Sequence, residues 1–339
     1  MASFPEYPFA SRYGKGMVNL ASNESPYPPS PKVLSALRGA LRDVNLYPEP
    51  RPKELLKKIA GYVGMEVNNI IIGNGSDELI ELVCRIFLNR KEKVLIPIPT
   101  FAFYEIAARL AGASPQFLQL TNFKWKTEEV EKAAKKAKMV FLGRPNNPTG
   151  NSLPEQGVIR LLEMGKIVVV DEAYAEFAGY SVCKLVREWD HLVVLRTFSK
   201  AFGLAGLRIG YAVAPPEIVE LLWKVRAPFS VNSLALVAAS AALDDLNYMK
   251  RVVERVRGER KRLAEELSLL GLRVLNSDAN FLMVGVPKAE ELCSKLEKRG
   301  ILIRNLLPFR GVGEGWVRIT VGTPSQNDRL LSALQEILK

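Results

Sequence analysis

The sequence predicts an α/β protein of two domains, a large one on a mixed, mostly parallel sheet between helices and a smaller α+β one towards the C-terminus. Three observations predict this. Short β-branched runs alternate with amphipathic stretches from residue 69 onward, and runs such as Ile167-Val-Val-Val170 are apolar throughout, as strands covered on both faces are. After Gly271 the pattern changes to a compact set of short strands and two helices. The chain has 339 residues, 48% hydrophobic and 24% charged, enough to bury one large or two ordinary domains without disulfide or metal.

The elements follow in order. Residues 1–45 carry a proline-rich arm (Pro26, Pro28, Pro29, Pro31) and one helix over 32–42. That segment has too little apolar surface to be a domain, so it is expected to pack across the other two, or onto a neighbouring subunit. The large domain is placed at 46–245. Its strands are expected at 70–72, 94–96, 140–142, 167–170, 193–195 and 209–213, and its helices at 77–88, 104–110, 128–137, 156–164, 218–225 and 233–243. A long helix over 248–270 leads into the small domain, placed at 246–339. There strands are expected at 273–275, 281–284, 301–303 and 316–321, and helices at 289–298 and 326–338.

Composition narrows the function classes. Net charge is +11, which calls for an acidic partner to be considered. Nucleic acid recognition needs a basic face with interleaved aromatics or a docking motif, and neither is present. The densest basic runs, 132–138 and 251–262, have apolar positions at helical spacing or interspersed glutamates and read as solvated helix faces. A single histidine, His191, leaves little room for histidine-rich metal sites or histidine-dependent triads. Cys84, Cys183 and Cys293 are far apart, with no C-x-x-C pair, and read as buried thiols in a reducing compartment. Residues 1–16 show neither a signal peptide nor a membrane span, so a cytoplasmic protein is expected.

Chemistry is expected at strand carboxyl ends, where ligands of open α/β sheets gather. Four such ends carry unusual residues. Gly73-Asn-Gly-Ser-Asp-Glu78 runs from a strand into a helix, and reads either as a phosphate seat or as a plain cap by Ser76 or Asp77. Arg144-Pro-Asn-Asn-Pro-Thr-Gly150 is a tight turn or a ligand loop. Asp171, ending an apolar strand in Asp171-Glu-Ala-Tyr174, needs a cation or donor, either structural or from a ligand. Lys200 in Thr197-Phe-Ser-Lys200 is either a snorkelling lysine or an amine made nucleophilic by desolvation.

Together these motifs, in this order and with Gly206-Leu-Arg208 following, resemble the fold-type I pyridoxal-phosphate aminotransferases, most closely the histidinol-phosphate aminotransferase branch. The likeness runs from Asn19-Leu-Ala-Ser-Asn-Glu-Ser-Pro26 to Arg318-Ile-Thr-Val-Gly322, nearly the whole chain. It implies that Lys200 holds pyridoxal phosphate through its amine and moves the substrate proton. It implies that Asp171 pairs with the pyridine nitrogen, and that Asn147 and Tyr174 bond the ring hydroxyl. Gly75, Ser76, Asp77, Ser199, Thr197 and Arg208 would take the phosphate, and Phe101 would stack on the ring. Tyr47 would reach the cofactor of a second subunit, making a homodimer. Asn23, Arg304 and Arg318 would bind substrate, with the two arginines sharing the phosphate of histidinol phosphate or the carboxylates of 2-oxoglutarate.

Threonine-phosphate decarboxylases and aromatic or broad-specificity aminotransferases share these motifs, and Ser230 stands where the histidinol-phosphate branch usually has asparagine. A non-catalytic basic binding protein on the same fold would require the lysine or aspartate to be missing; both are present.

Overall fold

The structure is a computed structural model and describes residues 7–8, 14 and 16–338. The expected arm therefore lies partly outside the described residues. What is described supplies strand β1 (Val18–Asn19) and helix α1 (Pro31–Ala40), which opens on a Ser30 cap and Pro31. Next come α2 (Lys53–Val63), β2 (Ile70–Gly73), α3 (Gly75–Phe87), β3 (Lys93–Ile98), α4 (Phe103–Leu110) and β4 (Ser114–Gln119). They are followed by α5 (Thr127–Ala134), β5 (Met139–Gly143), α6 (Glu155–Glu163), β6 (Ile167–Asp171), the single turn α7 (Ala175–Ala178), β7 (Leu192–Thr197) and β8 (Gly210–Val213). Helices α8 (Pro216–Val225), α9 (Ser233–Leu243) and α10 (Leu246–Leu269) lead to the C-terminal unit. That unit contains β9 (Arg273–Val274), β10 (Phe281–Gly285), α11 (Ala289–Lys298), β11 (Ile301–Leu302), β12 (Arg304–Asn305), β13 (Trp316–Thr320) and α12 (Pro324–Leu338).

The large sheet has seven strands in the order β2-β8-β7-β6-β5-β3-β4. Strand β8 is antiparallel to both its neighbours and the other pairs are parallel, a mixed and mostly parallel sheet. Alternate residues face two separate cores. Val168, Val170, Leu192 and Val194 pack on one side, while Val169, Val193, Leu195 and Phe141 pack on the other. Burying such a side chain contributes about 1.5–3 kcal/mol, which is why these strands read as unbroken apolar runs. The four parallel strands β3, β5, β6 and β7 therefore end along one edge.

The small sheet is antiparallel, in the order β12-β13-β10-β9, and β1 from the arm pairs in parallel with β11. Three features differ from the sequence reading. Helix α2 begins without a side-chain cap, and its opening is charged, so no start signal marks it. Strand β4 is a partly exposed edge containing Pro115, polar enough to resemble a loop. The expected strand over 301–303 divides: Ile301–Leu302 pairs with the arm, and Arg304–Asn305 pairs with β13. Arg304 therefore sits in a sheet rather than beyond one. Cys84 and Cys183 are buried, but Cys293 is only half-buried. Among the described residues no helix is long and apolar enough to cross a membrane.

Candidate active site

A cavity of about 600 Å³ opens at the carboxyl edge of the large sheet, against the small sheet and the arm. It is lined by Asn23, Ser76, Asp77, Phe101, Asn147, Asp171, Tyr174, Thr197, Ser199, Lys200, Arg208, Arg304 and Arg318. Residues from six separate stretches of sequence thus meet in one place. Four cationic side chains face two carboxylates, so the cavity favours anions.

The turn after β2 shows how local structure opens one end. Helix α3 starts at Gly75, and its N-cap residue Asn74 makes no side-chain cap. Neither Ser76 nor Asp77 caps it either, because both already lie within the first turn and line the cavity. Gly75 itself does not line the cavity. It adopts φ +72°, and a Cβ there would lie 2.6 Å from Arg208 Nη2. Glycine is required so that the Arg208 guanidinium can pass close to the backbone and reach Asp77 Oδ2 at 2.7 Å. Burial pushes the Asp77 carboxyl up, and Arg208 opposes this.

Asp171 closes the opposite end. It is buried, with no lysine or arginine in salt-bridge contact. Tyr104 donates to its Oδ2 at 2.8 Å and the Ala173 N–H to its Oδ1 at 3.0 Å. Burial nonetheless pushes the carboxyl up to about 6, so the site holds an acid that lacks a cation. Lys200 lies in the same cavity, and its Nζ donates to the Ser22 carbonyl at 3.3 Å. Burial, followed by the charge of Arg318, holds this amine down at about 8. An amine of that kind is nucleophilic near neutrality.

Between these ends, Asn23 donates to the Tyr174 hydroxyl at 3.0 Å, and burial pushes that phenol up to about 12. Arg318 donates to Asn147 Oδ1 at 2.5 Å and to the Ala21 carbonyl at 2.7 Å. Thr197 spends its hydroxyl on Ser199 Oγ at 2.9 Å. Arg304 stands directly across from Arg318 in the β12–β13 register, and both are buried. The Nε of each has no hydrogen-bond partner within the protein.

Two expectations need restating. Tyr47 does not reach this cavity from its own chain; it is 83% exposed and stacks on Phe229 at 4.7 Å. Phe101 does line the cavity, packed edge-on against Tyr104 at 5.5 Å. The sequence reading missed Tyr104 and Tyr7, which also line it. Tyr104 had a faint signal, one residue into the helix that follows a strand end; Tyr7, in the proline-broken arm, had none.

A parallel sheet with a desolvated lysine, an uncompensated aspartate and a helix N-terminus beside an arginine defines an enzyme that works on anions through a carbonyl-bearing pyridine cofactor. Pyridoxal phosphate fits this donor set: an acid for a pyridinium N–H, an amine for an aldehyde, and Ser76, Arg208 and a helix start for a phosphate. Comparison with known proteins agrees. The family model for aminotransferase class I and II matches residues 15–334. Histidinol-phosphate aminotransferase 2 of Archaeoglobus fulgidus is 43% identical, covering 95% of this chain and 94% of that one. The crystal structure of histidinol-phosphate aminotransferase from Clostridium acetobutylicum superposes with TM-score 0.89 at 29% identity, over 95% of this chain and 99% of that one. The Sinorhizobium meliloti histidinol-phosphate aminotransferase, solved in complex with pyridoxal-5'-phosphate, gives TM-score 0.87 at 28% identity, over 95% and 90%. The chain belongs to the aminotransferase class I and II family and is an enzyme of that family.

Proposed function

We propose that this enzyme moves the amino group of histidinol phosphate to 2-oxoglutarate, using pyridoxal phosphate held at Lys200. The observation that carries the substrate is the pairing of Arg304 with Arg318. Like charges directly opposite on neighbouring strands are unfavourable, and two buried guanidiniums each with a free Nε are more so. A dianion between them removes both costs. Histidinol phosphate carries a phosphate ester where an amino acid has its carboxylate, and 2-oxoglutarate carries two carboxylates, so one arginine pair serves both half-reactions.

When bound, pyridoxal phosphate supplies an aldehyde that condenses with amines and a ring that takes up electrons. The side chains do the rest. Asp171 accepts a hydrogen bond from the pyridine N–H, which meets its missing cation. Lys200, free of the cofactor while substrate occupies it, takes the α-proton and returns it as general base and acid. Asn147 and Tyr174 bond the ring hydroxyl. Ser76, Asp77, Ser199, Thr197 and Arg208 surround the cofactor phosphate, Gly75 giving Arg208 its path. Phe101 covers the ring, and Asn23 orients the Tyr174 hydroxyl.

The chain is proposed to act as a cytoplasmic homodimer. The exposed Tyr47–Phe229 stack, beside Leu46, Val44 and Leu41, gives an apolar surface from which Tyr47 reaches the partner's cofactor phosphate. The test is a side-by-side assay with 2-oxoglutarate and histidinol phosphate, phenylalanine or tyrosine, and a carbon dioxide assay with threonine phosphate. A preference for histidinol phosphate of at least about 100-fold in kcat/KM is expected. A larger rate with any of the others overturns the substrate.

A further inference from the structure

Beside the cavity but outside its lining lies a cluster of fully buried charges: Glu172, Arg196, Arg144 and Glu176. Glu172 is its hub and is completely shielded from solvent. Its Oε1 accepts from the Val182 N–H at 2.7 Å and faces Arg144 Nη1 at 3.7 Å. Its Oε2 accepts from the Ser181 hydroxyl at 2.5 Å and from Arg196 Nη1 at 3.1 Å. Arg196 continues to Glu176 Oε1 at 2.6 Å, and Arg144 lies over the Tyr180 ring at 4.5 Å.

The placement of these partners is what matters. Strands β5, β6 and β7 are neighbours in the sheet. Arg144 directly follows β5, three residues before Asn147. Glu172 directly follows Asp171 at the end of β6. Arg196 is in β7, four residues before Lys200. The backbone repeats the connection, since the Arg144 N–H donates to the Asp171 carbonyl and the Glu172 N–H to the Leu195 carbonyl, both at 2.8 Å. One carboxylate therefore ties together the three strand ends from which the site's chemistry projects.

We infer that Glu172 is a positioning residue, fixing the relative placement of Asn147, Asp171 and Lys200 without touching cofactor or substrate; this rests on the functional reading above. The physical reason is a difference in directionality. The valine and leucine packing on either face of these strands is non-directional, and such cores lose uniqueness before they lose stability. A buried ion pair adds little net stability over apolar residues of the same volume, but its hydrogen bonds hold particular distances. A displacement of about 1 Å at a reacting group costs about 100-fold in rate.

The test uses apoprotein reconstituted with pyridoxal phosphate and compares wild type with Glu172→Gln, Ser181→Ala and the control Leu334→Ala, which opens a cavity in the C-terminal unit. Cofactor dissociation constants are read from fluorescence quenching of the apoprotein at a temperature where each variant is folded by circular dichroism, and kcat and KM from the histidinol phosphate assay. Wild type that fails to bind cofactor defeats the functional reading itself. With wild type binding, Glu172→Gln is expected to weaken cofactor binding about tenfold and to lower kcat about 100-fold with KM within about threefold. Dissociation constant and kcat both within about twofold of wild type overturn the inference, as does an equal loss of cofactor affinity in Leu334→Ala. If Glu172→Gln does not fold, Ser181→Ala decides: weaker binding with a native circular dichroism spectrum supports the role, and unchanged binding overturns it.

Discussion

Arg318 donates to Asn147 Oδ1 at 2.5 Å and so joins the small sheet to the loop after β5. Because Asn147 accepts this bond with its oxygen, its amide N–H groups are left for the cavity. The other Nη of Arg318 is taken by the Ala21 carbonyl, which ties in the arm as well. A guanidinium has the planar set of donors that this requires.

Arg318→Lys keeps the charge and loses the planar fork. A single ammonium cannot reach Asn147, Ala21 and a substrate anion together. The expected outcome is a fall in kcat/KM of at least about 100-fold, about 2.7 kcal/mol of transition-state stabilisation. Steady-state kinetics on both amino donor and 2-oxoglutarate check this; unchanged values for both would remove the arginine from the substrate site.

Lys200→Met tests both chemistry and energetics. Borohydride reduction of wild type after incubation with pyridoxal phosphate is expected to add the cofactor's mass covalently at Lys200, and the variant is expected to gain none. The stability effect has the opposite sign. Burial lowers the Lys200 amine from 10.5 to about 8, so the folded apoprotein binds this proton less well than the unfolded chain does. The cost, about 3 kcal/mol, is fully present below pH 8 and disappears between pH 8 and 10.5. Apo Lys200→Met is therefore expected to melt above wild type at pH 7, with the gain shrinking towards pH 10.5. A lower melting temperature at pH 7 would contradict the desolvation argument.

Tyr104→Phe removes one of the two donors to Asp171. The Asp171 carboxyl is raised from 3.8 to about 6, so its ionisation costs the folded apoprotein about 3 kcal/mol, a cost absent below pH 3.8 and complete above pH 6. Above pH 6 the phenol bonds a charged acceptor, worth about 1.5–3 kcal/mol; near pH 4.5 it bonds a largely neutral one, worth about 1 kcal/mol. The variant is expected to lose more stability at pH 7.5 than at pH 4.5. Apoprotein melting curves at the two values check it, and equal losses would show that the hydroxyl does not support the ionised acid.

Gly75→Ala combines a left-handed backbone position with a collision. At φ +72° a non-glycine residue costs about 1–3 kcal/mol, and the new Cβ meets Arg208 Nη2 at 2.6 Å. Displacing that guanidinium is expected to weaken pyridoxal phosphate binding at least tenfold. Titration of the apoprotein with pyridoxal phosphate, and separately with pyridoxal lacking the phosphate, locates the loss; an equal loss for both would place it elsewhere than at the phosphate.

The sequence by itself determined the class of fold, the strands ending in Gly73, Gly143, Asp171 and Thr197, and the motifs that follow them. These are local properties. An apolar run long enough for one strand, followed by glycine, proline or an unpaired charge, is visible within about ten residues because burial and turn geometry are decided at that range. What only the tertiary structure decided is how those ends are joined. Tyr104 finds Asp171 67 positions away, Asn23 finds Tyr174 across 151, and Arg304 meets Arg318 through antiparallel register. Glu172 looked like the residue beside an important aspartate, and it became a hub only when β5 and β7 closed on either side of it. Tyr47 and Phe229, 182 residues apart in sequence, meet on the surface instead. The physical reason is the same in each case: a hydrogen bond or ion pair between distant segments depends on strand order and register, and these are set by the packing of the whole sheet rather than by any one stretch of chain.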